Sequence, residues 1–589
     1  MTNHQLAIFL ILAITMGLFI WNRWRYDVVA GFALMASVYT GIVPFDHAFT
    51  GFSHPAVITV ASVLVISQAL QSSGVVGVFL RYLGMFRARA VTQLAANCGT
   101  TALLSAFMNN IGALALMLPI TLRDARKAKR AASSLLMPLS FASLLGGLVT
   151  LIGTPPNIII ATFRSDHIGE PFGMFDFTPV GLVVALSGIL FLVLASRYLL
   201  PARLKKESEL QFQIARYLTE ISIPETSTLV DKTVNDLESM CDDEATVVAI
   251  VRGGLRRLAP RGIETIRPGD VLILQGDSEA LQPLFEDTSL VHAGAEITDG
   301  MWRGAPDVSV IEAVVMPNSM IDGIAMRSLK MHQRFGVNLL AVAREHHPTR
   351  ARLKHVRFKT GDVLLLQGER KALQEMCANL GCLTIKNRGV EITPRRSALL
   401  TPVVFAAGVL ATAVGLVPVQ IAFTTVVGIL VVLKAVSLRE AYRSIEWPVI
   451  VLLGFLIPVG EALQTTGATE QIASLMVSVA DDIPLWALLA LVMITSMALS
   501  DLVHNTPTAI LMAPIALSLA QQFNLPADPL FMAVAIGAAS PYLTPVGHQS
   551  NTLVLGPGGY NFGDYWRLGL PLDVVIVLTG VPMIMWVWT

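Results

Sequence analysis

The sequence predicts an α-helical polytopic membrane protein, with two membrane repeats of opposite orientation flanking a cytoplasmic α/β insert. Each repeat is expected to hold five transmembrane helices and one re-entrant hairpin. Three observations carry this reading. Of 589 residues, 53% are hydrophobic and only 14% charged, against about 25% charged in a typical soluble domain, and the mean hydropathy is +0.62. Charge is concentrated between about 201 and 396, whereas 444–566 contains no Lys or Arg. Polar motifs also recur inside apolar stretches. SAFMNNIGALALMLP at 105–119 is answered by SDLVHNTPTAILMAP at 500–514, and GTPPN at 153–157 by GHQSN at 547–551. Upstream, PAVITVASVLVISQALQSSG at 55–74 parallels PVIVLLGFLIPVGEALQTTG at 448–467. The expected divisions are 1–200 and 397–589 for the membrane repeats, with 201–294 and 295–396 as two halves of the insert.

Spans need about 20 apolar residues, and flanking Lys and Arg mark the cytoplasmic side. The first span, about 5–21, ends at Arg23 and Arg25 and lacks the basic start of a signal peptide. It therefore enters from outside, and spans at about 27–43 and 55–72 follow. Arg81, Arg87 and Arg89 precede the stretch at about 93–120, and Arg123, Arg126, Lys127, Lys129 and Arg130 follow it. Basic residues on both flanks predict a hairpin that enters and leaves on one side, with its tip at 108–110. Helices at about 134–162 and 178–199 deliver the chain to the cytoplasm. After the insert, spans are expected at about 398–415, 420–437 and 447–464. A second hairpin at about 485–520 is flanked by Asp481, Asp482 and Gln521, so it should enter from outside. Helices at about 527–555 and 570–588 leave both termini extracytoplasmic. The expected location is the inner (plasma) membrane.

The insert is itself duplicated. VVAIVRGGLRRLAPRGIETIRPGDVLILQG at 247–276 matches LLAVAREHHPTRARLKHVRFKTGDVLLLQG at 339–368, each ending in a Gly-Asp turn that feeds a strand. With PNSMIDG and FGVNLLAV preceding GDVLLLQG, the second unit resembles the RCK C-terminal (TrkA-C) domain, and the first resembles it more distantly. That resemblance implies tandem α/β lobes that dimerise and bind a small regulator such as a nucleotide. Arg252, Arg256, Arg257, Arg350 and Arg352 are phosphate candidates, with a solvated basic loop as the plainer alternative. The four cysteines, Cys98, Cys241, Cys377 and Cys382, show no C-x-x-C spacing, which points to reduced or buried thiols.

The duplicated Ser, Asn, Thr, Gly and Pro clusters mark where helices break within the membrane, the usual pointer to a secondary transporter's binding site. A break exposes backbone groups, tolerated only where they line a cavity or pack in protein. Carbonyls with Ser, Thr and Asn oxygens make a neutral cage that a hard cation such as sodium accepts, and helix N-termini attract anions. No Lys or Arg lies within either motif set, so an anion would be held by dipoles and co-bound cations. The plainer alternative is that the small polar residues join helices. Asp501, His504 and His548 are candidate proton-coupling groups, since an acid within a span is costly and histidine titrates near neutrality. Glu461 is a second candidate intramembrane acid, or a hydrated one near the outer interface. Ser62, Ser67 and Gln68 share a helix, and His54 and His167 are expected in loops.

Paired Ser-x4-Asn hairpins with GTPPN resemble the divalent anion–sodium symporter family of the ion transporter superfamily, over about 390 residues of the two membrane halves. That family carries Ser-Asn-Thr at each tip. Here the triplets are Asn109-Asn110-Ile111 and His504-Asn505-Thr506, so the central Asn alone is kept twice. By position, the resemblance implies one sodium site at Ser105, Asn110 and Gly153, and another at Ser500, Asn505 and Gly547. It implies substrate contacts from Asn110, Thr154 and Pro155 and from Asn505, Thr506 and His548. Asn109, Asn157, His504, Ser550 and Asn551 complete the candidate substrate set. Ile111 and GHQSN depart from the dicarboxylate carriers, which favours sulfate. The resemblance also implies a homodimer working by elevator motion.

The leading reading is therefore sodium-coupled symport of a divalent anion across a lipid bilayer. A dicarboxylate or other organic anion carrier, or a proton- or cation-coupled antiporter of the same superfamily, is the alternative. A channel gated by the insert would need a conduction path, typically with a repeated filter, and inverted re-entrant hairpins argue against it. Zero formal net charge gives no pull toward nucleic acid, and no nucleophile–base set suggests an enzyme.

Overall fold

A computed structural model of the chain describes residues 2–21, 23–73, 90–127, 130–200, 218–240, 246–252, 255–258, 260, 262–275, 291–292, 308–317, 319–329, 331–344, 347–348, 356–384, 400–471 and 484–589. In the first half, α1 (Asn3–Trp21), α2 (Tyr26–Tyr39) and α3 (Pro55–Ser72) precede a helical pair, α4 (Ala90–Ser105) and α5 (Asn110–Lys127). Next come α6 (Leu136–Gly147), α7 (Pro155–Ile168) and α8 (Thr178–Leu199). Among the described residues, six helical segments are long and apolar enough to cross a membrane, and shorter apolar helices accompany them.

The insert region holds two five-stranded antiparallel sheets. The first comprises β1 (Leu218–Ser222), β2 (Thr246–Arg252), β3 (Leu255–Leu258), β4 (Val271–Gln275) and β5 (Val291–His292), in the order β3-β2-β4-β1-β5. The second comprises β6 (Val308–Val315), β7 (Val337–Arg344), β8 (His347–Pro348), β9 (Val363–Glu369) and β10 (Cys382–Thr384), in the order β10-β6-β9-β7-β8. Read from the other edge, the second order repeats the first strand for strand. Helices α9 (Val234–Met240), α10 (Met326–Leu329), α11 (Met331–Phe335) and α12 (Arg370–Leu380) pack beside the sheets. Each Gly-Asp turn is held by one arginine. Arg252 pairs with Asp270 at 2.6 Å and Arg344 with Asp362 at 2.7 Å, and each also donates 2.8 Å to a carbonyl, of Thr265 or Arg357. Arg252 is thus committed to an internal carboxylate rather than free for a phosphate. Arg350, Arg352 and Cys241 lie outside the described residues.

The second half runs α13 (Leu400–Ala413), α14 (Val419–Val432), α15 (Leu438–Ser444), α16 (Trp447–Thr465), α17 (Leu485–Val503), α18 (Asn505–Gln522), α19 (Ala527–Ala538), α20 (Gln549–Gly558) and α21 (Tyr565–Trp588). One packed group joins α4–α8 with α17–α21, and a second joins α1–α3 with α13–α16. The first group surrounds a core whose large buried side chains include Phe141, Phe531, Tyr542 and Tyr565. The two groups meet along a seam where α16 packs on α18 and α3 on α7.

Two expectations need correction. The stretches read as single helices at 134–162 and 527–555 are each broken, at 148–154 and at 539–548. Apolar residues run up to both breaks, but Thr-Pro-Pro and Thr-Pro-Val-Gly cannot continue a helix without interruption. His167 is also not a loop residue, whereas His54 stands outside the helices as expected. His54 caps α3, accepting from the Ala56 N–H, while His167 lies in the last turn of α7, stacked on Phe163. Glu461 is exposed on α16. The flanking residues Arg81, Arg87, Arg89, Asp481 and Asp482 lie outside the described residues.

The second sheet also touches the membrane helices. The Gly361–Asp362 turn packs against α20, so that a Cβ at Gly361 would meet the Thr552 carbonyl at 2.8 Å and one at Gly556 would collide with the Gly361 carbonyl. Gly361 has φ +87°, a conformation that favours glycine. The equivalent Gly269 of the first sheet has open space around it.

Candidate functional site

Four interruptions converge in the first packed group: the turn 106–109 between α4 and α5, residue 504 between α17 and α18, and the two breaks at 148–154 and 539–548. The same hydrogen bonds stabilise the interruptions in both halves. Ser105 Oγ donates to the Ser143 carbonyl at 2.6 Å, and Ser500 Oγ donates to the Ala538 carbonyl at 2.6 Å. The Thr150 hydroxyl donates to the Ala106 carbonyl, and that of Thr544 to the Asp501 carbonyl. Asn157 Nδ2 donates to the carbonyls of Thr150 (2.9 Å) and Gly147 (3.3 Å). Asn551 Nδ2 donates to those of Pro541 (2.9 Å) and Thr544 (3.2 Å). Each buried amide thus satisfies carbonyls that a continuous helix would have satisfied itself.

The candidate cation ligands cluster as expected in the first half. With its amide nitrogen turned toward the carbonyls, Asn110 lies 2.7 Å from Ser105 Oγ and donates to the Gly153 and Ser143 carbonyls at 3.2 Å. In the second half Ser500, Asn505 and Gly547 are all near Asp501, but Asn505 Oδ1 closes on the Thr506 N–H at 2.8 Å. Asp501 Oδ1 accepts from Leu543 N (2.9 Å) and Thr544 N (3.3 Å). Several buried oxygens carry no hydrogen bond: Thr154 Oγ1, Asn157 Oδ1, Ser550 Oγ and Asp501 Oδ2. Unmet acceptors are costly in isolation, and all four belong to the duplicated motifs, where cations or a polar ligand would satisfy them.

A cavity opens where these interruptions face the second packed group. From the first group it is lined by Asn109, Ile111, Pro155, His504, Asn505, Thr506, Pro507, His548 and Gln549. From the second it is lined by Tyr26, Val60, Leu64, Glu446, Val449 and Leu452. Asn110, Thr154, Asn157, Ser550 and Asn551 stand behind this lining, buried in the supporting network. Helices that start at the cavity include α7 with Pro155, α18 with Asn505, and α20 with Gln549, whose cap is His548, accepting from Ser550 N at 3.0 Å. Their N-terminal N–H groups point partial positive charge at the space, whose lining holds no Lys or Arg.

Sequence reasoning missed Tyr26, Glu446 and Gln549. Gln549 was legible inside GHQSN. Tyr26 and Glu446 stand at the starts of apolar spans, where sequence signals only a membrane edge; the tertiary fold carries them into the site.

The match to known proteins agrees with this geometry. The family described as Citrate transporter matches residues 16–537 and again 485–588. The chain belongs to the citrate transporter family. It is 28% identical to an uncharacterised transporter of Synechocystis over all of this chain and 98% of that protein. It is 29% identical to an uncharacterised transporter of Escherichia coli K12, covering 99% of each. Over 55% of its length it is 27% identical to sodium/sulfate cotransporter 2 of Chlamydomonas reinhardtii, covering 38% of that chain. The chain is therefore a multi-pass membrane protein of a transporter family.

Proposed function

We propose that this member of the citrate transporter family is a sodium-coupled symporter of a divalent anion, with sulfate the favoured substrate. The observation that carries the reading is the cavity itself. Several helix N-termini and the polar groups of both hairpin tips face one space whose lining holds no Lys or Arg. Anion binding there depends on dipoles and on co-bound cations, and the oxygen clusters beside it suit sodium. Coupling then follows from electrostatics, because the anion is held well only when the cations are present.

The two membrane halves would form an inverted repeat, and the first packed group would move against the second in an elevator cycle within a homodimer. The tandem lobes would act as RCK-C-like regulators that respond to a small ligand such as a nucleotide. Ser105, Asn110 and Gly153, and Ser500, Asn505 and Gly547, would hold the cations. Asn109, Pro155, His504, Asn505, Thr506 and His548 would meet the substrate, with Thr154, Asn157, Ser550 and Asn551 supporting them.

The family's description and the apolar wall at Ile111, Leu64 and Leu452 keep a carboxylate substrate as the second reading. Uptake of labelled sulfate, citrate and malate into proteoliposomes, with and without an inward sodium gradient, decides between them. Sodium-driven sulfate uptake abolished by Asn505→Ala supports the first reading. Citrate or malate uptake without sulfate uptake supports the second. Uptake driven by pH alone moves the coupling to Asp501, His504 or His548.

A further inference from the structure

The cavity contains one charge that an anion site does not call for, and the argument here rests on the anion-site reading. Glu446, the residue before α16, is the one acidic side chain among the lining residues. Its Oε1 accepts from Asn109 Nδ2 at 3.1 Å, so the contact spans the seam from the second packed group to the first hairpin tip. Asn109 is fixed from behind as well, its N–H donating to Ser67 Oγ at 3.4 Å.

The other titratable groups facing this space are Tyr26 of α2, His504 at the second hairpin tip and His548 at the start of α20. Beside Tyr26, Arg25 and Asp27 pair with each other at 3.0 Å, so neither leaves a net charge to balance Glu446. From α3 the lining receives only Val60 and Leu64. A dianion arriving here therefore meets a carboxylate in a partly dehydrated space, where repulsion is stronger than in water. It also finds the Asn109 amide, a natural donor to it, already engaged.

We propose that Glu446 makes anion binding conditional on a monovalent cation, a proton or sodium, arriving at its carboxylate. The cation cancels the repulsion and releases the Asn109 amide to the anion. Glu446 is thus a coupling residue additional to the two duplicated cation clusters, and it has no counterpart in the repeat motifs.

The test is equilibrium binding of labelled sulfate to the full-length protein, wild type against Glu446→Gln. One arm varies sodium at fixed pH, and the other varies pH without sodium. In sodium-free solution at pH 8, Glu446→Gln should bind sulfate on the order of tenfold or more tightly than wild type. It should also need one cation fewer per bound sulfate, and the arm in which the dependence becomes less steep identifies the cation. Glu446→Asp should keep the requirement.

Should Glu446→Gln not fold, Glu446→Cys carries the same test: a carboxyethyl thiosulfonate adduct must restore the cation requirement and a methyl adduct must not. If wild type binds sulfate with cation dependence and Glu446→Gln keeps the same steepness of dependence in both arms, the inference falls alone. If wild type binds neither sulfate, citrate nor malate under any condition, the anion-site reading falls and the inference with it.

Discussion

His504 is bent into a backbone conformation that few side chains accept. Its φ of 116° and ψ of 151° lie in a region occupied almost only by glycine, at a cost of about 1–3 kcal/mol. The other positive-φ residues besides glycine among those described, Asp231, Lys434 and Asn524, sit at φ 50–63°, in the milder left-handed well. The strain falls at a hairpin tip that lines the cavity, where it aims an imidazole at the space and starts α18 abruptly. Replacing His504 with Gly should raise the unfolding free energy by about 1 kcal/mol while transport falls. Thermal melts and uptake rates on one preparation check both signs. Sequence had already singled out His504, because it stands where the first repeat has Asn109. The strain itself was not legible, since it depends on what packs around the turn. Asn157 and Asn551 were legible too, through the repeated motifs, but as substrate ligands. Their amides instead hold broken-helix carbonyls. Asn157→Leu and Asn551→Leu should each destabilise by about 1–3 kcal/mol through unpaired carbonyls. The Asn551 loss should be the larger, because its Oδ1 also accepts from Ser140 Oγ at 2.8 Å.

At the scale of elements, the agreement is closest where capping chemistry is strong. The span expected at 55–72 matches α3 end for end, because Pro55 opens the helix and His54 caps it. The helix bounds expected at 134–162 and 527–555 ran across both breaks, although the polar clusters inside them had been read as places where helices break. In the insert, the Gly-Asp repeat was visible, whereas the arginine that secures each turn lies 18 residues upstream; Arg252 was read as a phosphate candidate or a solvated loop residue, and Arg344 was not singled out. Asp362 is almost wholly buried and Arg344 is 36% exposed. Arg344→Ala should therefore cost about 2 kcal/mol, less than the 3–5 lost from a fully buried pair. Adding Asp362→Asn should recover part of that loss, and a double-mutant cycle of chemical denaturation measures it. Burial pushes the Cys377 and Cys382 thiols up to about 12, and buried or reduced thiols were the expectation. The contact between the Gly361 turn and Gly556 joins this sheet to the helix whose other end caps the cavity. Gly556→Ala has no room against a backbone carbonyl, so it should loosen the second sheet. Faster amide exchange along β9, with an altered sulfate-uptake rate, is the expected outcome.

Across the whole molecule, duplication was the most readable property, because the same motif must fold the same break wherever it occurs. The seam between the two packed groups was not readable, since contacts across it join residues hundreds of positions apart without a motif. Two such contacts lie at the end that the charge pattern puts outside. His54 Nε2 meets Asp166 Oδ2 at 3.1 Å, and His167 Nε2 meets Gln464 Oε1 at 2.7 Å. Each ties α7 of the first group to a helix of the second. If the groups slide past one another during transport, these contacts must break in every cycle, and a covalent tie there must stop it. The double variant His167→Cys/Gln464→Cys, bridged by mercuric ion, should therefore lose sulfate uptake and regain it on adding excess dithiol. Neither residue lines the cavity, so sulfate binding in the bridged protein should persist. That separates a halted motion from a damaged site. Uptake that continues after bridging would show that the moving boundary does not run between α7 and α16.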